Sequence, residues 1–137
     1  MKIKNQEAFE RIGNLLYAIA TDQHVKPIEI GELKLLISED WLPRPAGFRI
    51  LSKESHQILL AIDSLLAEKA SAADSYRKFA TFYLLNEEMF NHELRNKIFN
   101  TAAHIVKLFE INDSTENSHF ESLKKLLRID QPAKINQ

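Results

Sequence analysis

Apolar residues recur at three- and four-residue intervals along almost the whole 137-residue chain, and no stretch alternates with period two for long. That regularity confines the fold to packed helices, because a strand would put alternate residues on opposite faces. The expected helices cover 5–21, 27–39, 53–69, 72–85, about 92–110 and about 116–128. Their boundaries follow from local chemistry. Pro27 opens the second helix where its missing N–H costs nothing. Ser71 followed by Asp74 starts the fourth in the manner of a capping box, and Asn91 caps the fifth. Between 40 and 51 the run Asp40-Trp41-Leu42-Pro43-Arg44-Pro45-Ala46-Gly47 reads as a loop. Residues 129–137 lose the period and read as a flexible tail, leaving a single all-α domain of about six helices over 1–128.

Composition narrows the function classes. The 18 basic residues nearly balance the 19 acidic ones, so a binder relying on a broad basic surface for nucleic acid is not expected. The chain has no Cys, which removes zinc fingers, disulfide scaffolds and thiol nucleophiles. The N-terminus turns polar at once, without the apolar stretch of a secretory signal, and the apolar runs are too short to span a bilayer. A cytoplasmic protein without direct membrane insertion is the expectation. The three glycines cannot build a phosphate-binding loop, and no G-x-S-x-G elbow is present.

The chain also carries an internal repeat. Shifting it by 90 residues puts Phe9 on Phe99, Leu15 on Ile105, Leu16 on Val106 and Ile19 on Phe109. Past the loop, Leu33 falls on Leu123 and Leu36 on Leu126. The loop length between the helices is kept as well. Two pseudo-repeated helical hairpins, at 5–37 and 95–127, are therefore expected on either side of the helices at 53–69 and 72–85.

The first loop is Ala20-Thr21-Asp22-Gln23-His24-Val25-Lys26-Pro27-Ile28-Glu29, followed by Leu33 and Leu36. It resembles the signature loop of the TerB-like domains, a family named for a tellurite-resistance protein. That pattern has Asp-Gly-x-Val/Ile, a Glu seven residues after the Asp, and a Leu four further on. Asp22, Val25, Glu29 and Leu33 keep the spacing, with Gln23 in place of the Gly. In the second copy Asn112 stands for the Asp and His119 for the Glu. The resemblance covers both outer hairpins, about half the chain. It implies a compact helical bundle serving stress-response or membrane-linked assemblies, with acidic loop residues that bind a divalent cation; it carries no catalytic residues.

Two accounts of the loop stand side by side. In the first, Lys26 is the N-cap, Pro27 is N1, Glu29 reaches back to the cap, and Val25 and Ile30 form a hydrophobic staple. In the second, Asp22 and Glu29 supply carboxylate oxygens to a cation, joined by His24, Asn112 and His119 if the two loops converge. Oxygen ligands suit Ca²⁺ or Mg²⁺, and the imidazoles would favour Zn²⁺. The loop is not an EF-hand, since Pro27 and Leu33 stand where its Gly and bidentate Glu belong.

Elsewhere, Glu116 and His119 form one E-x-x-H spacing, which alone cannot build a di-iron centre. His104, between Ala103 and Ile105, is expected to be a half-buried structural histidine. Tyr76, Phe79, Phe82 and Tyr83 spread beyond one narrow stripe, so most should be core and an exposed part such as Phe82 could meet a partner. Trp41 either plugs the bundle end or, with Arg44, presents a rigid contact to a protein partner. The resulting expectation is a non-catalytic interaction domain, with a metal-binding or metal-sensing module at Asp22 and Glu29 as the alternative.

Overall fold

A computed structural model describes residues 2–21, 27–41, 53–108 and 118–128. These residues form six helices: α1 (Lys2–Thr21), α2 (Pro27–Asp40), α3 (Lys53–Glu68), α4 (Ala72–Leu85), α5 (His92–Leu108) and α6 (Ser118–Leu127), with a 3₁₀ turn at Glu87–Met89. No strand occurs among the described residues. The fold is thus the expected all-α bundle. The short turn at 87–89 has no counterpart in the sequence reading. Trp41 sits in the turn that ends α2, with its backbone N–H bonded to the Ile37 carbonyl, and not in an open loop. The expected tail, 129–137, lies outside the described residues.

α1 runs through the middle of the molecule. Every residue from Ile12 to Ala20 except Gly13 is described as a buried side chain, and Gly13 is buried as well. A helix that is covered all round needs neighbours on several sides, and α1 packs mainly on α3 and α4, then on α5. Gly13 sets the approach of α3. A Cβ there would lie 2.8 Å from the Ala61 Cβ and 2.8 Å from the Ile58 carbonyl oxygen. The Tyr17 hydroxyl donates to the Ala70 carbonyl at 2.6 Å and so ties α1 to the α3–α4 turn.

That turn is a complete Schellman motif. The Lys69 and Ala70 N–H groups donate to the carbonyls of Leu66 and Leu65, and Lys69 takes φ 56° to allow it. Ser71 then caps α4 by accepting the Asp74 N–H at 3.0 Å, as its spacing foretold. α4 turns Phe79, Phe82 and Tyr83 inward, where all three meet the ring of Phe90 at centroid distances of 6.1, 6.1 and 4.9 Å. Asn91 caps α5, its Oδ1 accepting the Leu94 N–H at 2.8 Å.

α5 is one-sided, burying Ile98, Thr101, Ala102 and Ile105. α2 lies against α5 and α3. Its hold on α5 includes the Trp41 indole, whose Nε1–H donates to Thr101 Oγ1 at 3.0 Å. Phe9 meets the Trp41 ring edge-on at 6.0 Å, and Lys97 lies 4.9 Å over it. Lys34 pairs with Asp63 of α3. α6 closes the bundle through Leu123 and Leu127, and Phe120 stacks on Phe99 at 5.5 Å.

The expected repeat is not carried into the packing. Leu15 and Ile105, and Leu33 and Leu123, are buried alike, as helical periodicity alone would arrange. The helix partners differ, however: α5 packs on α6, whereas α1 has α3 and α4, not α2, as its principal neighbours. Leu16 is fully buried while Val106 is half-buried.

Candidate functional site

Of the loop residues proposed as cation ligands, Asp22, His24 and Asn112 lie outside the described residues. Glu29 lies in the first turn of α2. His119 lies in the first turn of α6 and stacks on Tyr76 of α4, with ring centroids 5.2 Å apart and planes 25° from parallel. Burial pushes the Tyr76 hydroxyl up to about 12. Among the described residues no three His, Asp or Glu side chains gather as a cation site.

Arg44 also lies outside the described residues. Trp41 and Phe82 are core residues, 3% and 8% exposed, so neither presents its ring to a partner. Trp41 takes the plugging role, with its polar atom satisfied by Thr101. His104 departs from its expected half-burial. It is exposed, and its Nδ1 lies 2.7 Å from Asp40 Oδ2, joining α5 to the end of α2.

The feature that stands out on the surface is an open groove of about 730 Å³ where α4 meets α1 and the end of α3. Its walls alternate in charge. Arg11 is held by Glu7 at 3.3 Å and donates to Asn14 Oδ1 at 3.2 Å. Arg77 pairs with Asp74 at 2.9 Å. Lys78 makes no ion pair among the described residues. Arg11, Glu68 and Lys78 also line an adjoining recess of about 280 Å³ between α1 and α3. Behind this surface the Tyr17 hydroxyl is pushed up by burial and, secondarily, by the charge of Glu68.

Two details make the groove more than a seam between helices. Ser75 is 1% exposed and its Oγ is buried at the groove wall without a hydrogen-bond partner among the described residues, an arrangement that costs free energy in a folded protein. Large apolar side chains are also exposed here: Leu85, which lines the groove, is 75% exposed and Leu60, which lines the adjoining recess, 47%, while Leu84, next to Leu85 on α4, is 58% exposed. In the sequence the aromatic residues of α4 stand out, and these leucines lie off that face. The signal was present: Leu84 is five residues from Phe79, which on a helix places it on the far side from the core. The arrangement offers apolar contact beside ionic partners of both signs, a combination suited to holding a protein segment. No protein-family model, curated protein or solved structure matches the chain.

Proposed function

We propose that this chain is a non-catalytic helical interaction domain that receives a partner protein along the α1–α3–α4 groove. The observation that carries this reading is the exposure of Leu85 in a charged groove and of Leu60 in the recess beside it. Apolar side chains exposed together and rimmed by charged residues are the surface pattern of a protein contact. The TerB-like spacing of Asp22, Val25, Glu29 and Leu33 supports placing such a domain in a stress-response or membrane-associated assembly. No helix among the described residues is long and apolar enough to cross a membrane.

Site-specific photo-crosslinking in cells tests the reading. A photoreactive residue at Leu85 should trap a discrete protein band, and one at the exposed Asn100 of α5 should not. Lys78→Glu, at an exposed residue that lines both the groove and the recess, should weaken the band while leaving the melting temperature unchanged. Equal capture from both positions, or none from Leu85, would sink the proposal.

A further inference from the structure

α4 has two faces of opposite purpose. Phe79, Phe82 and Tyr83 point into the core. Around the helix from them Arg77, Lys78, Thr81, Leu84 and Leu85 are all exposed. Their spacing is helical, so they form one continuous stripe. The 3₁₀ turn that follows adds Glu87 and Glu88, also exposed. From Arg77 to Glu88 the exposed side chains run in chain order from basic through apolar to acidic, with Asp74, paired to Arg77, one turn before them. Lys78, Glu87 and Glu88 have no ion-pair partner among the described residues, and Arg77 is held only by an exposed pair with Asp74.

Such a stripe is complementary to its own reverse. Under a twofold axis crossing the helix, each residue meets its counterpart from the opposite end, as an isologous contact requires. We propose that a second copy of this chain docks antiparallel on this face, α4 against α4. Leu84 and Leu85 of the two copies pack near the axis. Arg77 and Lys78 of each copy face Glu87 and Glu88 of the other. A parallel arrangement would set like charges side by side, which disfavours it. One helix pair covers little area, so the dimer is weak. The inference rests on the reading of this surface as a protein-binding one and names its occupant.

Sedimentation velocity on the full chain over a range of concentrations is the test. The expected result is a monomer–dimer equilibrium that Leu84→Glu weakens at least about tenfold and that added salt also weakens. The decisive arm swaps the charges. Arg77→Glu with Lys78→Glu in one variant, and Glu87→Lys with Glu88→Lys in another, should each be monomeric alone and associate when mixed. These side chains are exposed, so circular dichroism should show both variants folded. If Leu84→Glu fails to fold, Leu84→Ser supplies the same comparison. A wild-type chain that stays monomeric throughout, or folded charge-swapped variants that ignore each other, overturns the proposal. If that chain still captures another protein through Leu85, the self-docking inference falls and the interaction reading stands. If Leu85 captures nothing as well, both fall.

Discussion

α1 and α5 are the two helices that the 90-residue shift superimposes, and they live in different surroundings. α1 is enclosed from Ile12 to Ala20, with α3 and α4 pressed against it. α5 buries a single stripe and leaves Asn96, Asn100 and His104 to solvent. The same apolar spacing therefore supports a central helix in one case and an outer one in the other. What separates them lies between the matched positions. α1 carries Tyr17, Ala18 and Ala20 where an outer helix carries its polar face, and all three are buried. It also has Gly13 at the α3 crossing, whereas the shift puts Ala103 at the equivalent place in α5.

The comparison can be broken most forcefully on the outer side, where the Trp41 indole at the end of α2 bonds to Thr101 of α5. Trp41→Ala should cost about 3–5 kcal/mol, since it removes a large buried side chain and strands the Thr101 hydroxyl. Chemical denaturation would measure it, and a loss below about 1 kcal/mol would mean that the ring is not holding α2 in place. A direct contest between the two helices comes next. Leu16→Ala should cost about 2–5 kcal/mol and Val106→Ala about 1 kcal/mol, because only the first side chain is fully buried. Equal losses would restore the idea of a true structural repeat.

The glycine contrast is subtler. Gly13→Ala should destabilise by about 1–3 kcal/mol despite the better helix propensity of alanine, because the added carbon meets α3 at 2.8 Å. Ala103→Gly should cost only the propensity difference, about 1 kcal/mol. A Gly13→Ala variant with a raised melting temperature would show that α3 can yield at this crossing.

The smallest effect is a pH dependence at the contact between α4 and α6. The unfolded chain releases the Tyr76 proton near the ordinary value of 10.0 and the folded chain near about 12. Between those values the folded state holds more protons, so stability is complete below about pH 10 and declines as pH rises toward 12. Tyr17, also raised, acts in the same direction. Tyr76→Phe should flatten part of the decline in urea titrations run across that range, and an unchanged slope would remove Tyr76 from the account.

Much of this architecture was legible before any coordinates, and the legible parts share a property: they are local. Helix positions follow from apolar spacing. The Ser71 and Asn91 caps follow from short polar side chains that meet N–H groups three residues on. Pro27 opens α2 as expected. The groove was not legible, because it is made by side chains far apart in the chain. Glu7 and Arg11 of α1 line it together with Glu68 of α3 and Leu85 of α4. Likewise the role of His104 could not be read from its alanine and isoleucine neighbours, since its partner Asp40 lies 64 residues earlier.

The sequence by itself determined an all-helical chain, where most of its helices begin and end, and which face of each is apolar, because those properties depend on residues within a turn or two of one another. Only the tertiary structure decided that α1 would be the enclosed helix, that Trp41 would face Thr101 and not a partner, and that the leucines of α4 would remain uncovered. Those outcomes depend on which apolar faces find each other. Several helices of similar amphipathic pattern could pair in more than one way, and close fits such as Gly13 against Ala61 and Ile58 belong to the pairing the folded chain adopts.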